Sequence, residues 1–291
     1  MVIIDKIFDA FKDMIINWTQ ENLIGLFETI NREVASVHSD LSPTPDSWNS
    51  SLWGMATNIG DTVIKPVAGI ILACFTCLEI VTLMNDKNNL HSSTDVTATF
   101  IRFLAKLAIV LYVIQNADTI TTVFFKVGAF LVNQANGYIT DSTTLNPDLS
   151  AGLAVDSLKD ESFFEVSKMF ALVLLERFAL FVISLIIRAA IIGRMLEIYL
   201  YCSLAPFPLA TFANSGELSG IGKNYLKTLG ALALQGFIMM LCVGFYAALI
   251  NDISSADDLK ATLFKLLVCA GVLTLSFIKS GTTAKSILTA H

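Results

Sequence analysis

The chain has 291 residues, 54% of them hydrophobic and only 15% charged, with a formal net charge of −6. A mean hydropathy of +0.66 excludes a soluble globule, because that much apolar surface needs lipid to cover it. The negative balance excludes a broadly basic surface for nucleic acid, and the length suits one membrane domain of five or six spans, each needing roughly 20 apolar residues.

The first segment, MVIIDKIFDAFKDMIINW, has neither a basic n-region nor a small-residue cleavage site, so it does not read as a removable signal. Ile3, Ile4, Ile7, Phe8, Phe11, Met14, Ile15 and Trp18 recur at helical spacing, with Asp5, Lys6, Asp9, Lys12 and Asp13 opposite. Two readings fit: an amphipathic helix lying in the membrane interface, or a helix packed on the protein's own surface. A weaker amphipathic pattern continues through 22–37. Residues 1–60 thus form an amphipathic N-terminal region that ends in a Pro/Ser/Asn loop, SPTPDSWNSSLW, whose Trp48 and Trp53 suit an interfacial belt.

Residues 61–132 hold the first two spans. One runs over 62–84 with Pro66 near its start; the other begins near Thr99, carries Arg102 and Lys106, and fades near Asn116, with semi-apolar 120–132 prolonging it. Residues 133–162 form an acidic, extracytoplasmic connection with Asp141, Asp148, Asp156, Asp160 and Glu161 against Lys159 alone. Residues 163–291 read as a C-terminal membrane bundle. Its first helix covers 163–187, is interrupted at Arg188 and Arg194, and resumes as MLEIYLYCSLAPFPLATF. Pro206 and Pro208 each remove a backbone donor and break that second half, which places an elbow at 195–225. Spans at 226–250 and 261–278 flank the acidic NDISSADD, and no internal repeat is visible.

Basic residues choose the topology. If 195–212 is bent or re-entrant, Lys87, Arg102, Lys106, Arg188, Arg194, Lys223, Lys227, Lys279 and Lys285 share one side, and the acid-rich loops take the other. That is the positive-inside pattern for five crossings, N-terminus outside and C-terminus cytoplasmic. A sixth crossing would scatter the lysines. The fold class is therefore all-α, a polytopic helix bundle of five crossings, with six as the alternative, in the cytoplasmic (inner) membrane.

Ionisable groups inside a membrane are costly and each asks for a partner or a function. Glu79, Lys106, Glu176, Arg177 and Glu197, with Gln235, either form a polar seam along a conduit or pair between helices, Glu79 with Lys106 or Arg177, to fix the bundle. Pairing is the favoured reading. Cys74 and Cys77 form a C-x-x-C inside an apolar helix, where two small buried side chains are a simpler account than redox work. His38, His91 and His291 are too scattered to complete a metal site with them. SGELSGIGKNY has Glu217 where a phosphate loop needs glycine, and Asn224 where it needs Ser or Thr. Neither G-x-S-x-G nor H-E-x-x-H occurs. The sequence calls for no enzyme activity, no cofactor and no metal. Gly244 and Ala248 supply a small-xxx-small pair for close helix approach.

The run Leu200–Ala248, with its LAPFPLATFAN turn, short G-x-G-K-N-Y loop and LQGF-centred span, resembles the polytopic TrbL-type subunit of type IV secretion systems, in the branch found in conjugative elements of Gram-positive bacteria. The layout of the whole chain agrees. The resemblance implies a channel or scaffold subunit of a DNA-transfer machine, a homo-oligomeric ring, and partnership with other secretion subunits including separate ATPases. It assigns Pro206, Pro208, Asn214, Gly222, Lys223, Asn224, Tyr225, Gln235 and Gly236 to a cytoplasmic-side elbow that docks partners or lines the entrance. Arg188, Arg194, Lys223 and Lys227 form a small basic set that could meet the phosphates of single-stranded DNA in transit, although ordinary positive-inside topology explains them more simply. The alternative function is a secondary transporter for a small solute, centred on Glu79, Glu176, Arg177 and the proline-broken helix. A membrane-embedded lipid enzyme would need clustered His or Asp residues at one interface, and none is seen.

Overall fold

A computed structural model describes residues 2–86, 93–140, 158–159, 161–214, 216, 219–253 and 259–288. The acidic residues Asp141, Asp148, Asp156 and Asp160, and Asp257 and Asp258 of the second acidic loop, lie outside the described residues. Among those described there are helices and turns and no strand. Five helical stretches are long and apolar enough to cross a membrane: Ser50–Met84, Thr97–Gln115, Phe163–Leu204, Ser219–Ile250 and Leu263–Ile287.

Helix α1 (Val2–Leu41) buries Ile16, Leu23, Leu26, Phe27, Ile30, Val37 and Leu41, a stripe at three-, four- and seven-residue spacing. From Ile16 onward the helix is therefore packed on the protein's own core, while Phe11 and Trp18 stay exposed. The expected loop at 42–53 is shorter than its composition implies. Pro45 opens the one-turn α2 (Pro45–Trp48), and the Asn49 side chain accepts from the Leu52 amide at 3.0 Å to cap α3 (Ser50–Ile59). Trp48 and Trp53 turn onto Tyr199, with ring centroids 6.2 and 6.4 Å away, and the Tyr199 hydroxyl donates to the Pro45 carbonyl at 2.8 Å.

A π-helical turn at Gly60–Ile64 joins α3 to α4 (Lys65–Asp86) without a break. Pro66 has no amide for the Thr62 carbonyl, and the Lys65 amide reaches back to Gly60, so the ladder slips by one residue instead of ending. Helix α5 (Ser93–Gln115) and α6 (Ala117–Thr140) are separate helices hinged at Asn116. The Lys65 ammonium caps the end of α5, donating to the Gln115 carbonyl at 3.0 Å.

Arg188 and Arg194 do not interrupt the next helix. Helix α7 runs unbroken over Phe163–Leu204, 42 residues, about 63 Å and roughly twice the length one crossing needs. One-turn α8 (Pro206–Ala210) and a 3-10 turn at Thr211–Ala213 follow, then α9 (Ser219–Ile253) and α10 (Leu259–Ile287).

The chain divides into two compact units, each with its own core. The first comprises 1–42, 131–191 and 237–280 and centres on Leu23, Leu26, Met169, Met239, Leu266 and Phe277. Within it α1 and α7 run parallel: Arg177 donates to Asn22 and Arg188 to Glu33, both pairs 155 residues apart in sequence. The second comprises 43–130, 192–236 and 281–291 and centres on Leu72, Met195, Ile198, Leu209, Leu229 and Leu232. Here α6 and α9 approach closely at Gly128, where a Cβ would lie 2.7 Å from the Ala233 carbonyl oxygen.

That contact predicts that Gly128→Ala destabilises the protein by about 1–3 kcal/mol, since backbone cannot yield as a side chain does. Gly137→Ala on the same helix, with open space around it, should leave thermal unfolding in detergent unchanged or slightly raised.

Candidate functional site

The elbow belongs to the second unit and is built on one missing amide. Pro206 cannot donate to the Cys202 carbonyl, so the Ala205 amide tightens onto it at 3.3 Å. The Tyr201 carbonyl, which Ala205 would have served in a regular helix, instead receives the Tyr225 hydroxyl at 2.9 Å. The two tyrosine rings stack with centroids 6.1 Å apart, and Tyr225 is buried. Thus the first turns of α9 satisfy the carbonyl that the proline orphans at the end of α7.

A second tie fixes the other side of the turn. The Thr211 hydroxyl donates to the Pro208 carbonyl at 2.7 Å and accepts from the Gly222 amide at 3.0 Å. A Cβ at 222 would sit 2.8 Å from that carbonyl oxygen and 3.0 Å from both the Phe212 ring and the Thr211 hydroxyl, so only glycine fits. Asn214 takes extended backbone and accepts from the Gly216 amide at 2.6 Å, which turns the chain toward Ser219. Pro206, Pro208, Leu209 and Ala210 are buried, and α8 packs against both α4 and α5.

Arg194 is corrected by the structure. The sequence suggests a phosphate-facing cation, but Arg194 is only 7% exposed, and its Nε and Nη2 donate to the Leu232 carbonyl at 3.3 and 3.2 Å. The guanidinium lies over Gly236, where a Cβ would come within 2.7 Å of Nη2. A buried guanidinium committed to a backbone carbonyl is not available to a phosphate. Gly236 is explained by the same contact, and neighbouring Gln235 is buried against Gly281 of α10.

Of the basic set, Lys223 and Lys227 share one exposed face of α9 as an i,i+4 pair, with exposed Asn224 beside them. Arg188 belongs to the first unit and pairs with Glu33 at 3.2 Å. The intramembrane polar residues do not converge either. Glu79 pairs with Lys106 at 3.4 Å between α4 and α5, one of the two partners expected for it. Glu197 meets Lys285 at 3.6 Å on the surface. Glu176 is buried in the first unit with its Oε1 unbonded, and Arg177 beside it is exposed and bonded to Asn22. Cys74 and Cys77, expected to be buried, are both exposed on α4. Among the described residues no cluster of His, Cys, Asp or Glu is arranged for a metal.

Sequence reading missed Thr211, Tyr199 and Tyr201. Thr211 alone had a signal, a hydroxyl three residues after a proline whose carbonyl needs a donor. The roles of the tyrosines depend on tertiary contact.

A family model described as "TrbL/VirB6 plasmid conjugal transfer like protein" matches residues 30–206, more than half of the chain. The matched stretch ends at Pro206, so the remaining elbow residues, Pro208 through Gly236, lie beyond it. No curated protein and no solved structure matches the chain.

The Arg194–Gly236 contact predicts coupling. Gly236→Ala should cost about 1–2 kcal/mol by displacing the guanidinium. In an Arg194→Met background the same change should cost less, with a coupling energy of at least about 0.5 kcal/mol in a double-mutant cycle read by thermal unfolding.

Proposed function

The chain belongs to the TrbL/VirB6 plasmid conjugal transfer family, and on that premise we propose that it is the channel or scaffold subunit of a conjugative type IV secretion system, helping to pass DNA across the cytoplasmic membrane. As a family member it is a membrane component of a conjugal transfer system; the translocation role is the further step. The observation that carries the reading is the family match over a region of apolar helices in which Glu79 is met by Lys106 on the neighbouring helix. A protein arranged in this way holds shape in a bilayer and leaves energy conversion to separate ATPases.

In this reading the elbow is a rigid cytoplasmic-side dock. Its fold is secured internally by Thr211, Gly222 and Tyr225, which leaves Lys223, Asn224 and Lys227 free to meet another secretion subunit or single-stranded DNA. The N-terminus lies outside and the C-terminus inside, following the basic residues. The pairing of Glu79 with Lys106 supports a structural role for Glu79 over the place in a solute path that the transporter reading gives it.

Several copies assemble as a ring through α4. Ile70, Cys74, Cys77, Leu78 and Val81 form one exposed apolar stripe on that helix, and only 11% of the Ser50–Met84 span is buried within the protomer. Such a stripe is covered by lipid or by protein.

An in-frame deletion in a donor cell should abolish DNA transfer while growth stays normal, with restoration by the wild-type chain in trans. Unchanged transfer removes the conjugation role. Lys223→Gln/Lys227→Gln should lower transfer without lowering the amount of protein in the membrane. For the ring, copper-phenanthroline oxidation of native membranes should give a ladder of crosslinked species that disappears in Cys74→Ser/Cys77→Ser; monomer alone would show that α4 is not the contact.

A further inference from the structure

Between α1 and α7 in the first unit lies a cavity of about 190 Å³, lined by Leu26, Thr29, Arg32, Glu33, Arg177, Leu180, Phe181 and Ser184. Its charges do not cancel. Among the described residues Arg177 bonds to the neutral Asn22 side chain and Arg32 to the Thr29 hydroxyl at 3.3 Å. Among the described residues no carboxylate lies within ion-pair distance of either arginine. The one acid in the wall, Glu33, already pairs through Oε1 with Arg188 at 3.2 Å, and Glu176, next to Arg177 in sequence, is buried and does not line the cavity. Two guanidinium groups thus stand without a counter-charge beside α7, whose apolar stretch has the highest mean hydropathy, 2.5, of the five candidate spans. Uncompensated arginine in such a setting is costly.

Two further observations give the missing group its chemistry. Glu33 Oε2 is buried with no hydrogen-bond partner, so it lacks a donor. Phe181, in the cavity wall, is 59% exposed, and Phe178 and Leu185 on the same helix are 65% and 52% exposed, so an apolar surface adjoins the charged one. A ligand that fits has an anionic phosphate for Arg32 and Arg177, a hydroxyl to donate to Glu33, and a hydrocarbon tail for α7.

We propose that this cavity binds the headgroup of an anionic, hydroxyl-bearing phospholipid of the phosphatidylglycerol class, its phosphodiester held by Arg32 and Arg177 and its acyl chain laid along Phe178, Phe181 and Leu185. Ser184 provides a further hydroxyl for the phosphate, while the Thr29 hydroxyl already donates to the Gly25 carbonyl at 2.7 Å. The bound lipid supplies the counter-charge that α7 lacks and joins α1 to it, and this holds whether or not the protein conducts DNA.

The test is thermal unfolding of the full chain, purified in a neutral detergent and titrated with short-chain phosphatidylglycerol, short-chain phosphatidylcholine or inorganic phosphate. Phosphatidylglycerol should raise the midpoint by about 4 °C or more, with little response to the other two, and native mass spectrometry should retain one phosphatidylglycerol per chain. Arg32→Gln/Arg177→Gln should lose most of the shift, whereas Lys223→Gln/Lys227→Gln, which removes the same charge elsewhere, should keep it. If the glutamine variant does not fold, Arg32→Lys/Arg177→Lys keeps the charge but loses the fork geometry and should bind at least several-fold more weakly. An equal response to phosphatidylcholine, a full response to inorganic phosphate, or an unchanged shift in either arginine variant would each overturn the assignment.

Discussion

A carbonyl without an amide, inside a protein with little water around it, has to find another donor. Pro206 creates that situation at the end of α7, and much of the second unit answers it. The Tyr225 hydroxyl reaches the Tyr201 carbonyl, and α9 is thereby held against α7. Thr211 bonds across to Gly222, and the absence of a side chain at 222 lets the two backbones come that close. The resulting turn packs on α4 and α5, so a break in one helix organises three others. Unpaired backbone groups at membrane depth carry a heavy penalty, which makes this arrangement a requirement of the proline rather than an accessory to it.

The same rule governs the charges. Glu79 has Lys106, Arg188 has Glu33, and Arg194 has the Leu232 carbonyl. These three groups are each met close by on a neighbouring helix. Arg194 is the most informative of these. Its burial over Gly236 converts what looked like an exposed cation into a packing element that fixes the spacing of α7 and α9 in the second unit. A membrane protein whose helices are tied together by such contacts fits a membrane component of a conjugal transfer system.

The first unit shows a place where this local matching fails. Among the described residues Arg32 and Arg177 have hydroxyl and amide partners and no acid, while Glu33 keeps an oxygen with no donor. The parallel alignment of α1 and α7 brings those three residues to one cavity, although 144 or 145 positions separate Arg177 from the other two in sequence. The mismatch is specific in sign and in hydrogen-bonding character, which is why it points to a lipid headgroup rather than to a generic hole in the packing.

The sequence by itself determined the all-α class and the five long apolar helices, because the cost of burying backbone in lipid leaves few alternatives and hydropathy reports it directly. It also determined the break at Pro206, which follows from a missing amide and needs no tertiary information. Only the tertiary structure decided what each polar residue meets. The charges at Arg188 and Arg194 look like helix interruptions when read along the chain, yet a guanidinium with a partner on the next helix is tolerated without any break, and α7 runs straight through both. Cys74 and Cys77 read as interior residues because they are small and apolar, yet both are exposed, since which face of α4 is covered depends on its neighbours. Likewise α1 could lie on a membrane or on protein by its pattern alone, and the stripe from Ile16 to Leu41 chose protein because α7 offered a parallel apolar face to receive it. Periodicity states that a face is apolar; which surface covers it is settled by three-dimensional packing.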